Sequence, residues 1–390
     1  MTPLQLFAFF RSFLLATVFM LPLTMTARAQ NLVPGKITAA SQDGSQCLYN
    51  DEHFHIQDFK AEGPQVSEIL KMMNGHVCRS TLMGLAVTVA HDPLIDRDFA
   101  PGYYTQTDGQ VLYYNAIQDV LVAHKYLALP ETDRARMDPL MSAFNLKDAR
   151  AGSYIKQMVH LYPDVWSGFG EIHFKKQEFS EKIAGGPPSL YSPSIDAIFD
   201  VIGEMGAAAV VHCDHDTPGN LALMSEPSAM FKDAVAKPQY MEGFKAFLKR
   251  HSNVPMIWAH FMGNGRNVLP YPEHWKYLDQ MLADPAFRHV YIDISWGPVI
   301  ATHILDTPEH VKMTADLIRK YPDRFLYGSD QGAASDWGMV KKSYDVWEPL
   351  WQAIGPELTR QVAQDNYIRI FDQSRTNMRA WEKAHPEKVE

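Results

Sequence analysis

Cysteine is scarce: Cys47, Cys78 and Cys213 are all the chain has, too few for a framework of disulfides to stand in for a core. There is no Cys-x-x-Cys pair, no Gly-x-Ser-x-Gly elbow and no glycine-rich phosphate loop, so the usual sequence marks of thiol redox chemistry, serine hydrolysis and nucleotide binding are missing. Basic residues number 36 against 45 acidic ones, which argues against nucleic acid or an anionic membrane surface as a partner. Internal repeats and low-complexity tracts are absent. Beyond the first 29 residues no apolar run reaches the ~20 residues needed to span hydrocarbon. What is present is 46% hydrophobic residues, enough for a large core, with no proline- or serine-rich linker to mark off a second domain.

Residues 1–29 read as a secretory signal. Arg11 gives the positive flank, 12–25 the apolar run with a break at Pro22, and Ala27-Arg28-Ala29 the small-x-small cleavage pattern. The mature chain is then expected to start at Gln30 and to be exported, into the periplasm if the cell is Gram-negative. Loss of Arg11 and Arg28 leaves 34 basic against 45 acidic residues and a net charge near −11. In an oxidising compartment Cys47 and Cys78 either pair across the first βα unit, leaving Cys213 odd, or stay free; the sequence leaves both states open.

From about residue 47 onward short β-branched or aromatic runs alternate with amphipathic stretches. Strands are expected at 48–55, 83–89, 140–144, 166–173, 208–212, 256–260, 290–295 and 325–329, and helices at 65–75, 148–162, 194–206, 240–251, 273–282 and 308–321. Two stretches break the rhythm: 90–128, with Tyr103, Tyr104, Tyr113 and Tyr114, and the loop 174–193 around Gly185-Gly186-Pro187-Pro188. Helical signals over 347–384 are expected to clasp the exterior. The fold class that follows is α/β: a (β/α)8 TIM barrel over 30–390, with an inserted segment after strand two and a C-terminal helical extension.

In a parallel barrel the active site forms where the strands end, so the residues at those ends carry the information. Strand one ends in His53-Phe54-His55, whose two imidazoles project from one side because side chains alternate along a strand. Strand four ends in Glu171 and His173, strand five in His212, strand six in His260 and strand eight in Ser329-Asp330. Any one of these has a bland explanation, as a hydrogen-bonded rim histidine or the N-cap of the next helix. Five strand ends of eight closing in His, Glu or Asp, each behind an apolar run, is a set that converges on a metal. The intervals agree: 41 residues from Glu171 to His212, 48 on to His260 and 70 on to Asp330, the last with room for an extra unit.

This order of residues resembles the amidohydrolase superfamily, in particular its amidohydrolase-2 branch of metal-dependent hydrolases and decarboxylases. The resemblance runs from about Cys47 to the end and takes in Gln364-Asp365-Asn366-Tyr367-Ile368-Arg369-Ile370-Phe371, similar to that branch's closing helix. It implies a barrel with one or two divalent ions, zinc first among them. The implied ligands are His53, His55 and His212, with Asp330 touching both metal and water and His260 polarising the substrate or, with two ions, binding the second. Glu171 stands where two-metal members commonly keep a carboxylated lysine, and either bridges ions or orients a ligand. An ion of this kind lowers the pKa of a water it holds from 15.7 toward roughly 7, and Asp330 can shuttle the proton.

The expected activity is hydrolysis of a C–O or C–N bond in an ester, lactone or amide of a small carbonyl substrate. The alternatives are decarboxylation of an aromatic or unsaturated acid on the same scaffold and, from another class, a periplasmic binding barrel without turnover. Arg266, at the end of Gly263-Asn264-Gly265-Arg266, His173 and Trp296 are the candidate substrate contacts, weighed against a solvated loop arginine and plain packing. Lys175 and Lys176 have the same two readings. Asp293 and Ser295 share a face of strand seven, with core satisfaction the expected role of Asp293. A small-molecule substrate is the expected partner, and the oligomeric state, a homo-oligomer included, stays open.

Overall fold

The computed structural model describes residues 39–40, 46–73, 75–88, 113–114, 116–176, 180, 186–216, 239–265, 268–270 and 273–386. The expected leader, most of 90–128, parts of the loop 174–193 and Arg266 lie outside the described residues. Eight parallel strands form one sheet in sequence order: β1 (Tyr49–Asp51), β2 (Val77–Leu82), β3 (Met137–Met141), β4 (Gly168–Lys175), β5 (Ala209–Cys213), β6 (Met256–Trp258), β7 (Val290–Ile294) and β8 (Phe325–Tyr327). The first and last strands also meet. Glu52 N–H donates to the Tyr327 carbonyl at 3.1 Å and Asp330 N–H to the His53 carbonyl at 2.7 Å, while Phe54–His55 pairs in parallel with Gln331–Gly332. The sheet therefore closes on itself, removing the edges an open sheet would expose.

Strand alternation sorts each side chain inward or outward. On β5, Ala209, Val211 and Cys213 join the outer layer packed under the helices, whereas Val210 turns into the barrel. Trp258 on β6 and Tyr327 on β8 belong to the outer layer, and Ile257 and Leu326 to the inner one. Helices such as Pro193–Glu204 and Pro308–Lys320 cover the outer face; both open on a proline behind a capping residue, Ser192 and Thr307.

Strand two corrects the sequence reading. It runs Val77–Leu82, not 83–89, and Val87–Thr88 instead pairs antiparallel with Tyr113–Tyr114. The true strand carries Arg79, which a hydropathy pattern penalises. Its guanidinium is neutralised by the buried Asp138 at 2.8 Å and by Asp372 at 2.6 Å. Cys47 and Cys78 form a disulfide, with Cα atoms 5.3 Å apart, tying the lead into β1 to β2.

The tail is also placed differently. Helix Glu348–Ile354 packs outside the barrel through Leu350, Trp351 and Ile354, as expected. The first turns of helix Asn366–Ala384 instead join the inner cluster, Tyr367, Ile370 and Phe371 packing with Leu140, Val210, Ile257 and Leu326, while Met378 and Trp381 further along stay with the outer layer. Each such aromatic or aliphatic side chain contributes about 1.5–3 kcal/mol when fully buried. Asn366 starts the helix by donating to the carbonyls of Pro322 and Phe325, both at 2.8 Å. With that end of the barrel filled, the polar chemistry is left to the other.

Candidate metal centre

His53 and His55 hold their rings through Nδ1. His55 Nδ1 lies 2.9 Å from the Gly84 carbonyl, which can only accept, so that nitrogen carries the hydrogen. His53 Nδ1 lies 2.8 Å from Asp293 Oδ2. The Nε2 atoms are left facing each other at 3.2 Å, and Asp330 Oδ1 stands 3.4 Å from both. When both rings are neutral in these tautomers they point lone pairs at one spot, an arrangement that suits a cation between them. Close packing holds the claw in place, since a Cβ on Gly328 would fall 2.5 Å from His53 Cβ.

Glu171 stands at the middle. Its Oε2 is 3.4 Å from His55 Nε2, 3.7 Å from His53 Nε2 and 2.6 Å from His173 Nε2. Its Oε1 faces His212 Nδ1 at 2.6 Å and His260 Nε2 at 3.4 Å. Lys176, buried one residue beyond β4, donates to both oxygens at 3.0 and 2.8 Å. His212 is spanned by carboxylates, its Nε2 lying 2.8 Å from Asp214 Oδ1.

Three of the site residues rest on left-handed backbone just past a strand. His260, Phe261 and Met262 have φ of 60°, 51° and 68°, Trp296 has 55° and Asp330 has 52°. Non-glycine residues seldom adopt this region, and strain of this kind collects at functional sites. The turn after β6 is held by Asn264, whose Nδ2 donates to the carbonyls of Phe261 at 2.6 Å and His260 at 3.2 Å. Within the turn, His260 Nδ1 lies 2.6 Å from the Ser295 hydroxyl, and its fully buried Nε2 has no hydrogen-bond partner among the described residues. Trp296 is half-buried, with its ring 5.2 Å from that of His260.

The electrostatics favour a cation. Burial alone raises the carboxyls of Asp330 and Glu171, yet His53, His55, His260 and Lys176 hold Asp330 well below the ordinary carboxylate range, and His173, Lys176 and His212 do the same for Glu171. Both therefore stay anionic. Burial pulls His173 down to about 3 and lowers His260, so both are neutral near pH 7. For His53 burial also pulls down, but Asp330, Asp293 and Glu171 outweigh it and the ring is pushed up, a sign of how strongly the pocket draws positive charge.

Among the described residues, donor atoms of His53, His55 and Asp330, and of His53, Glu171 and His260, lie close enough to share an ion. With the converging lone pairs of the imidazole pair and the orphaned Nε2 of His260, these residues fit a divalent metal. Of the residues singled out in the sequence, His53, His55, Glu171, His260 and Asp330 come together. His173 and His212 lie against Glu171, Trp296 lies against His260, and Arg266 is outside the described residues. Lys175 lies over the Tyr240 ring, 4.6 Å from its centroid.

Sequence reasoning undervalued Asp293, which orients His53. It also passed over Asp51, whose carboxylate accepts from the Ser329 and His53 N–H groups at 2.8 and 3.2 Å and from the Tyr344 hydroxyl at 3.0 Å, pinning strand one to the segment that carries Asp330. The inward parity of Asp293 on β7 was the available signal; for Asp51 there was none.

No curated protein matches the chain. Solved structures that resemble it include a putative 2-pyrone-4,6-dicarboxylic acid hydrolase from Pseudomonas putida (TM-score 0.48, 12% identity, covering 84% of this chain and 98% of that one). An amidohydrolase from Burkholderia multivorans with bound zinc gives a TM-score of 0.48 at 10% identity, covering 83% and 99%. A 5-carboxyvanillate decarboxylase from Sphingomonas paucimobilis gives 0.45 at 13%, covering 79% and 82%. The amidohydrolase family model matches residues 170–373, just over half of the sequence and the part that carries Glu171, His212, His260 and Asp330. The chain belongs to the amidohydrolase family.

Proposed function

We propose that this chain is an exported, metal-dependent hydrolase that cleaves a C–O or C–N bond, in an ester, lactone or amide, of a small carbonyl substrate. The observation that carries the reading is the meeting of His53 Nε2 and His55 Nε2 at 3.2 Å with Asp330 Oδ1 at 3.4 Å from each. These three would hold a divalent ion, zinc being the simplest choice for two imidazoles and a carboxylate, with Glu171 in reach. When bound there the ion lowers the pKa of water toward roughly 7 and supplies a nucleophile at neutral pH.

The chain's own residues do the rest. Asp330, anionic and with its other oxygen 3.8 Å from His260 Nε2, takes the proton of the attacking water and passes it to the leaving group. With the Ser295 hydroxyl 2.6 Å from its Nδ1, the neutral His260 ring in its Nε2–H tautomer would present that hydrogen to the carbonyl oxygen as negative charge develops there. Trp296 walls the substrate side of His260. Export is supported by the Ala27-Arg28-Ala29 pattern and by the Cys47–Cys78 disulfide, a bond that persists in oxidising compartments.

The test is a panel of lactones, esters, amides and aromatic acids incubated with zinc-loaded protein, reading acid release and CO2 release separately. Acid release that Asp330→Asn cuts at least ~100-fold, with the ion retained, supports hydrolysis. Release of CO2 makes the protein a lyase, and binding without turnover across the panel makes it a receptor; either result overturns the reading.

A further inference from the structure

Resting on the role given to His260 above, we infer that Asn264 is a positioning residue for that ring, and that it acts by locking the left-handed turn on which His260 is mounted. The turn is unusual in its length. His260, Phe261 and Met262 have ψ of 53°, 55° and 48° beside their positive φ, and Gly263 follows with φ of 74°. Asn264 N–H then donates to the His260 carbonyl at 2.9 Å, four residues back, so the segment is one closed turn of left-handed α-helix. Residues with a Cβ adopt this conformation singly and at a cost, not three in a row. Something must hold it, and every residue from Ala259 to Asn264 is buried away from solvent.

The Asn264 carboxamide is that hold. Besides the bonds from its Nδ2 to the carbonyls of Phe261 and His260, its Oδ1 accepts from His215 Nε2 at 3.2 Å. His274 Nε2 donates to the same Phe261 carbonyl at 2.8 Å, and its ring stacks on that of Phe261 with centroids 5.6 Å apart. Burial brings His274 down to about 3 and lowers His215, so each ring is neutral and spends its Nε2 hydrogen here. On the β5 side, His215 N–H donates to the Gly263 carbonyl at 3.1 Å, and a Cβ on Gly263 would fall 2.0 Å from the Cys213 carbonyl oxygen. The end of β5, the turn and helix His274–Ala283 thus meet around one side chain. The consequence is read at His260. With its backbone fixed, Nδ1 meets the Ser295 hydroxyl at 2.6 Å, and Nε2 stands 3.4 Å from Glu171 Oε1 and 3.8 Å from Asp330 Oδ2.

The test is Asn264→Leu, which keeps the size of the side chain and removes every hydrogen bond of the carboxamide. In crystals of the zinc-loaded full mature chain, at least one of residues 260–262 should leave the left-handed region and His260 should part from the Ser295 hydroxyl. On the panel compound that the wild type hydrolyses fastest, kcat should fall about 100-fold with KM within about threefold. In a His260→Ala background the same substitution should change kcat by less than about twofold, because its effect passes through the missing ring. A left-handed turn with His260 unmoved in Asn264→Leu, or an equal fall in kcat with and without His260, overturns the inference and leaves the hydrolase reading intact. A wild type that turns over nothing on the panel overturns the hydrolase reading, and the crystal comparison still decides the lock. If Asn264→Leu does not fold, His274→Phe, which keeps the stacked ring and removes its N–H, should lower kcat about tenfold and only when His260 is present. No fall, or one independent of His260, overturns the inference.

Discussion

His53 and Asp293, 240 residues apart in sequence, are joined by a 2.8 Å bond from the imidazole Nδ1 to the carboxylate Oδ2. That bond decides which nitrogen of His53 faces the centre, because a ring that donates from Nδ1 is left with its lone pair on Nε2. Asp293→Ala should therefore weaken metal binding 10- to 100-fold without removing any atom of the ion's own shell. Competition against a chromophoric chelator measures it, and affinity unchanged in the variant would mean that packing alone orients the ring.

A second prediction concerns the filled end of the barrel. Asp138 is fully buried and accepts from Arg79 at 2.8 Å, from the Tyr367 hydroxyl at 2.7 Å and from Arg375, so it fastens the last helix to β2 and β3. Burial raises its carboxyl, but Arg79 and Arg375, with Tyr367, outweigh that and hold it below its ordinary value. A carboxyl lowered in the folded state stabilises it fully above the unfolded value of about 3.9, and the contribution is lost as pH falls through the folded one. Asp138→Asn should cost about 3 kcal/mol at neutral pH, read as a lower urea midpoint, and should soften the loss of stability below about pH 4. An unchanged midpoint would show that the apolar contacts of Tyr367 and Phe371 suffice.

The disulfide gives a third. Cys47 and Cys78 close a loop of sequence separation 31, for which chain entropy predicts roughly 3–4 kcal/mol of stabilisation. The double variant Cys47→Ser, Cys78→Ser should lose stability of that order in guanidinium. Thiol titration should find no reactive group in the native protein and one after unfolding, since Cys213 is buried. Three thiols after unfolding without reductant would show the bond does not form.

Much of this was legible in the chain. The alternation of strand and helix gave the barrel, and the polar residues closing five apolar runs gave His53, His55, Glu171, His260 and Asp330. Strand two was misplaced because Arg79 lies within it, and only the fold shows that Asp138 and Asp372 receive that charge. Amphipathicity tells that a face of the last helix is buried but not against what: Met378 and Trp381 pack in the outer layer, whereas Tyr367 and Phe371 face Leu140 and Val210. His212 read as a simple ligand, and its two carboxylate partners, Glu171 and Asp214, are a matter of distance rather than pattern. Lys176 could not be ranked from sequence, since a lysine after a strand is usually solvated.

An ion held among His53, His55 and Asp330 is the arrangement from which the proposed chemistry starts. Anomalous diffraction from crystals of zinc-loaded protein, recorded on both sides of the zinc edge, tests it most directly. A strong peak is expected about 2.0–2.2 Å from both Nε2 atoms and from an Asp330 oxygen. A peak elsewhere in the molecule, or none in crystals that hold zinc by elemental analysis, would contradict it.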